Sequence, residues 1–189
     1  AKQWEAWELV AAAPEREAAR LAALQRYAIL DTPPDGSFDH IAATAAKLFD
    51  VPIAIVSLVD HDPIWFKARH GIDVEQIGRD PGLCASAILQ NDAYVLTDAS
   101  CDPRSLANPL VAGEFGLRFY VGAPLRTSDG HNLGTLCVID QAPRAVSEAQ
   151  IAQLYLATRA TLEEWITRLR AEAGAGFPEK VTAFRADFA

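Results

Sequence analysis

At 189 residues the chain has room for one domain with a full core and a helical extension. Half the residues are hydrophobic and 22% are charged, a globular balance, and the formal charge of −8 excludes the clustered basic face of a nucleic-acid binder. No apolar run reaches the ~18 residues of a membrane span, the N-terminus lacks the basic start of a secretory signal, and Cys84, Cys101 and Cys137 form no C-x-x-C zinc pair, which together predict a reducing, cytoplasmic location.

The chain contains no methionine, which marks it as processed or as a fragment. Residues 3–28 read as helical with an interruption at Pro14, so a short helix precedes that proline and a second runs from it to about Tyr27. In the second, Leu21, Leu24 and Ala28 make one narrow stripe, and Arg16, Glu17, Arg20 and Arg26 are expected to stay wet. The double proline after Asp31-Thr32 holds a linker extended. From about Gly36, the three-and-four spacing of Phe38, Ile41, Ala42, Ala45, Leu48 and Phe49 predicts a helix that covers a sheet.

Residues 52–60 are apolar on both faces except at Ser57, the pattern of a central strand. After a turn at His61-Asp62-Pro63, Ile64, Phe66 and Ala68 alternate with Trp65, Lys67 and Arg69, the pattern of a half-exposed partner strand. Residues 71–81 are polar and irregular, and 82–90 predict a short helix with Leu83, Cys84, Ala87 and Ile88 inward. A third strand over 93–98 is followed by a segment punctuated by Asp102-Pro103-Arg104, Asn108-Pro109 and Gly113, long enough to cover a site.

Two apolar runs, 118–125 and 133–139, flank a polar turn with Asp129-Gly130, a strong hairpin signal at the centre of an antiparallel sheet. Ser147 and Gln150 fit a capping box, with a helix from there to about Ala171. Within it Ile151, Tyr155, Thr158, Leu162, Trp165 and Leu169 make a heptad seam that predicts pairing with another helix. The tail from Phe177 has no secure period.

The order of elements predicts an α+β domain with helices packed on an antiparallel sheet. From about Arg20 to Leu169 the chain resembles a GAF domain of the subgroup common in bacterial sensor kinases, cyclases and stand-alone sensors. The resemblance is carried by Tyr27-Ala28-Ile29-Leu30-Asp31-Thr32-Pro33-Pro34, Val56-Ser57-Leu58-Val59-Asp60, Trp65-Phe66-Lys67, Cys84-Ala85-Ser86-Ala87-Ile88, Asp102-Pro103-Arg104, Asn108-Pro109-Leu110-Val111, and the two hairpin strands, Arg118 to Leu125 and Gly134 to Asp140. It implies five or six antiparallel strands with helices on both faces, the first and last helices packed together on one side, and a small-molecule pocket on the other, roofed by the 82–90 helix and the 99–117 loop. It also implies homodimerisation through the terminal helices, in line with the seam. On this basis residues 1–30 are a helical extension, 31–146 the GAF core, 147–172 a dimerisation helix and 173–189 a tail. Trp65, Lys67, Cys84, Ser86, Arg118, Tyr120 and Cys137 are the candidate ligand-binding residues.

Three chemistries of that family bear on these residues. Gly82-Leu83-Cys84-Ala85 resembles a stretch of the free methionine-(R)-sulfoxide reductases, which gives the alternative reading of a thiol-dependent reductase using Cys84 with Cys101. The last strand, however, places Leu136-Cys137-Val138-Ile139 where those enzymes carry carboxylates, and Cys101 lies several residues early. Bilin attachment expects a Cys-His pair, and none occurs. The cyclic-nucleotide signature is also missing, since Asn108 is followed by Pro109-Leu110-Val111; Lys67, Arg104 and Arg118 are the cations on offer for a phosphate. The four histidines show no metal-ligand spacing. The expected role is a sensory and dimerisation domain with no catalysis of its own and no metal, binding an unidentified small molecule and passing occupancy to an output domain or kinase partner. The cofactor is left open.

Overall fold

A computed structural model of the chain describes residues 14–27, 30, 36–80 and 82–173. The short helix expected before Pro14, Ala28, most of the linker and the tail fall outside the described residues. In chain order the elements are α1 (Pro14–Arg26), α2 (Gly36–Phe49), β1 (Ile53–Val59), β2 (Ile64–His70), β3 (Gln76–Ile77), α3 (Leu83–Ala87), β4 (Tyr94–Leu96), α4 (Pro109–Ala112), β5 (Phe119–Arg126), β6 (Asn132–Asp140) and α5 (Glu148–Ala173).

Six strands form one antiparallel sheet in the order β3-β2-β1-β6-β5-β4. All seven residues of β1 and all nine of β6 are buried, because both strands have neighbours on each edge and layers on each face. The β5–β6 hairpin turns through Gly130 at φ 90°, a left-handed conformation that glycine adopts without steric cost. Gly134 lets β1 approach β6: a Cβ there would stand 1.8 Å from the Ser57 carbonyl oxygen.

Period-two alternation divides the core into two layers. Ala54, Val56, Leu58, Val121, Ala123, Leu136 and Val138 face one side, packed with Leu24 of α1, Phe38, Ile41 and Ala45 of α2, and Leu154, Leu162 and Trp165 of α5. Each side chain of leucine size removed from water there contributes about 2 kcal/mol, so the stripe on α2 is enough to hold that helix on the sheet. Ile53, Ile55, Val59, Ile64, Tyr120, Cys137 and Ile139 face the other side, beneath Leu83, Cys84 and Ile88 around α3 and Val111 and Leu117 of the loop. The Ser147–Gln150 capping box forms: the Gln150 N–H donates to Ser147 Oγ at 3.2 Å and the Ser147 N–H to Gln150 Oε1 at 3.0 Å.

Two expectations are corrected. Arg20 is not wet: it is 6% exposed, because its guanidinium crosses the end of the sheet to donate to the Val59 carbonyl at 2.6 Å and pairs with Glu17 at 2.7 Å. The middle of the seam on α5 is filled within the chain. Thr158, Leu162 and Trp165 are buried, and the Trp165 ring meets Phe38 at 6.1 Å and Tyr27 at 6.2 Å, so the helix that α5 pairs with is the protein's own. No helix of the described residues is long and apolar enough to cross a membrane.

Candidate functional site

The face opposite the three large helices holds an apolar cavity of about 180 Å³. Its floor is Ile55 of β1, Phe66 of β2, Tyr120 of β5 and Ile139 of β6; Leu83 and Cys84 of α3 close one side, and Leu110, Phe115 and Leu117 of the loop close another. Asn108 shapes that loop by capping α4, its side chain accepting from the Leu110 N–H at 2.9 Å with Pro109 in the first turn. Ile72, Val74 and Ile77 complete the wall. They come from the stretch that the sequence marks as polar and irregular; their every-second or third apolar spacing is the signal that could have found them.

Tyr120 occupies the deepest part of the floor at 1% exposure. Its ring folds back over Gly122, where a Cβ would stand only 2.5 Å from the tyrosine hydroxyl oxygen. The hydroxyl donates to Cys84 Sγ at 3.4 Å, and burial pushes its pKa well above the ordinary phenol value. Tyr94 closes against the same ring, edge to face, at 6.0 Å.

Cys84 Sγ lies 4.0 Å from Cys137 Sγ, with both thiols free and buried. Ser57 and Thr135, hydrogen-bonded to each other at 2.9 Å, stand beside the pair. The hydrogen bond with Cys137 holds the Cys84 thiol below its ordinary range against the opposing effect of burial. The same hydrogen bond, followed by burial, drives the Cys137 thiol well above its ordinary range. Cys101 belongs to a different environment: it is exposed on the loop and directs its thiol to Asp98 Oδ2 at 3.6 Å.

The candidate residues therefore separate. Cys84 and Tyr120 line the cavity and Cys137 stands directly behind Cys84. Ser86 is half-buried on α3 outside the lining. Trp65 pairs with Leu58 across β1 and β2, which puts it on the helix-covered face, 36% exposed. Lys67 is buried on that face too, its ammonium 6.0 Å from the Phe38 ring centre. Arg118 donates to the Val111 carbonyl at 3.0 Å and the Leu117 carbonyl at 2.9 Å, bracing the loop. Arg104 pairs with Asp102 and lies 4.8 Å from the centre of the Tyr94 ring. None of these three cations lines the cavity, whose surface suits an apolar guest and offers no phosphate cradle. Among the described residues no cluster of histidine, cysteine and carboxylate could hold a metal.

A second, polar cleft of about 840 Å³ opens where α1 meets the end of the hairpin, lined by Arg16, Glu17, Arg20, Arg79, Arg126 and His131 among others. Glu17 sits between Arg20 and Arg79, whose Nη1 lies 2.6 Å from it. Hydrogen bonding from Arg20, then from Arg79, lowers its carboxyl to about 2. Asn132 forms the inner edge: its side-chain amide donates to the Ile88 carbonyl at 3.0 Å and the Gln90 carbonyl at 2.9 Å.

Comparison with known proteins follows the same lines. The family model for the GAF domain matches residues 16–160. A cyclic di-GMP phosphodiesterase from Pseudomonas aeruginosa is 44% identical over 142 residues, covering 75% of this chain; the chain spans 24% of that protein's length. Among solved structures, the GAF domain of an Acinetobacter phosphoenolpyruvate-protein phosphotransferase superposes with a TM-score of 0.58 at 19% identity, covering 83% of this chain and 93% of that one. A type II free methionine-R-sulfoxide reductase from Thermoplasma acidophilum superposes with a TM-score of 0.51 at 21% identity, over 67% and 92% of the two chains. These likenesses are of fold.

Proposed function

Since the chain belongs to the GAF domain family, we propose that it is a sensory module of a bacterial signalling protein, holding a small apolar molecule under α3 and relaying occupancy through its helices without catalysis of its own. The observation that carries this reading is the apolar cavity between the sheet and the α3 roof. A ligand there stabilises whichever arrangement of roof and sheet it fits better, and the size of the response equals its differential affinity for the two arrangements. Trp65, Lys67, Ser86 and Arg118 then contribute to the sheet, the roof and the loop around the pocket, while Cys84 and Tyr120 touch the guest.

The likeness to a cyclic di-GMP phosphodiesterase supports an output domain that turns over a cyclic dinucleotide, regulated by this one. The exposed Leu156 on the outer side of α5 supports a homodimer built on that helix. Three free thiols, two of them within 4.0 Å of each other, support a reducing cytoplasm.

Native mass spectrometry of the freshly purified protein tests the reading. A retained apolar small molecule is expected in the wild type, with loss of that adduct in Leu83→Trp, which fills the cavity from the roof. Wild-type protein with no adduct, and no thermal shift from any member of a library of small apolar compounds, would sink it.

A further inference from the structure

We propose that Cys84 and Cys137 form a reversible disulfide when an alkyl hydroperoxide enters the apolar cavity, so that oxidation clamps the roof helix to the sheet. The two sulfurs come from different layers, Cys84 from α3 and Cys137 from β6, and already stand 4.0 Å apart. A disulfide needs about 2 Å, so the remaining gap is small and is closed by a shift of a five-residue helix rather than of the sheet. Cys84 lines the cavity and is 6% exposed, whereas Cys137 lies outside the lining at 0% exposure, so an oxidant in the cavity meets Cys84 first. This fixes the order of events: Cys84 meets the oxidant and Cys137 resolves.

The surroundings favour the sequence of steps. The Tyr120 hydroxyl donates to the Cys84 sulfur at 3.4 Å and supports it as it gains negative character, with the hydrogen-bonded Ser57–Thr135 pair beside it. The Cys84 sulfur attacks the outer peroxide oxygen, the O–O bond breaks, and the thiol proton passes to the departing alkoxide; an alcohol leaves and Cys84 becomes a sulfenic acid. The Cys137 sulfur then attacks that sulfur, and the hydroxyl leaves as water with the Cys137 proton. Two thiols have given two electrons to one peroxide. Two molecules of a small thiol such as glutathione return both electrons and both protons by exchange, releasing their own disulfide. The apolar lining selects an alkyl hydroperoxide over hydrogen peroxide. Cys101 fits the role poorly, since it stands in water on the loop beside Asp98, outside the cavity lining and apart from the buried pair.

This inference goes beyond ligand sensing and requires the cavity only as an entrance. The two readings fail separately: protein that retains no ligand can still cross-link, and protein that holds a ligand can remain reduced. The experiment is to treat reduced wild-type protein with tert-butyl hydroperoxide, block remaining thiols by alkylation under denaturing conditions, and map peptides by mass spectrometry. The expected product is about 2 Da lighter before alkylation, yields a Cys84–Cys137 linked peptide and carries an alkylated Cys101. The link should persist in Cys101→Ser, disappear in Cys84→Ser and Cys137→Ser, form several-fold faster than with hydrogen peroxide, and reverse with glutathione. Oxidation confined to Cys101, a Cys84 sulfinic acid without the link, or no reaction of wild type in tenfold excess would overturn the proposal; equal rates for the two peroxides would overturn the alkyl class.

Discussion

Gly122 decides where the hydroxyl of Tyr120 goes. The ring of a residue two places earlier on the same strand lies across it, and there is no free space for even one methyl group. In Gly122→Ala the ring must turn away in a layer that is already close-packed, which costs about 1–3 kcal/mol. A lower urea midpoint is expected, with a downward shift in tyrosine absorbance pKa as the phenol gains solvent; an unchanged midpoint would mean the ring relocates freely. At this scale the sequence was legible in parity but not in layer. Alternation put Phe66 on one face of β2 and Trp65 with Lys67 on the other, and that holds in the structure. Alternation does not say which face the large helices cover, so it leaves open whether Trp65 packs under the terminal helices or meets a ligand. The register shift between Val56 and Ser57, which carries Ala68 to the helix-covered layer, leaves no mark in the residues of either strand. Lys67 is buried with its ammonium facing the Phe38 ring of α2, a placement that a charged letter does not announce.

Among the elements, α2, β1, the hairpin and α5 could be read directly, because each follows from apolar periodicity plus a turn or cap with its own chemistry: Asp129-Gly130 for the hairpin, Ser147 with Gln150 for α5. The docking of α1 could not, since it depends on partners far away in the chain. Arg20 reaches the end of β1 and Glu17 receives Arg79 from the segment before α3, so these polar contacts add to the buried Ala23 and Leu24 in holding α1. Glu17 is near the ordinary carboxyl value when unfolded and near 2 when folded. Its contribution is therefore complete above about pH 4.5 and is lost as pH falls toward 2. Because the carboxyl is about one-third exposed, solvent screening limits that contribution to about 1 kcal/mol. Glu17→Gln should lower the urea midpoint near neutral pH, with the difference from wild type shrinking to nothing near pH 2; a gap that is constant with pH would remove the ionic account of α1.

For the whole molecule, class and family were legible because many short stretches agree on one topology, and the GAF family model matches residues 16–160, a range that includes those stretches. Assembly was not legible, since a heptad stripe reads the same whether it meets its own chain or a copy. Trp165 packs on Phe38 and Tyr27, so Trp165→Glu is expected to unfold the domain, whereas Leu156→Glu, on the exposed side of α5, should leave circular dichroism intact and convert a dimer to a monomer in light scattering. A wild-type monomer, or a Leu156→Glu dimer of unchanged mass, would rule out that face. One residue gives the molecule a way to act as a unit. Asn132 grips the carbonyls of Ile88 and Gln90 at the trailing end of the roof, and its own carbonyl lies 3.5 Å from the Arg20 guanidinium of α1. Roof and first helix thus share one anchor at the turn end of the hairpin. If a guest lifts α3 as proposed, it would pull on the residue that also holds α1, and Asn132 would then carry occupancy through its three hydrogen bonds to the first helix.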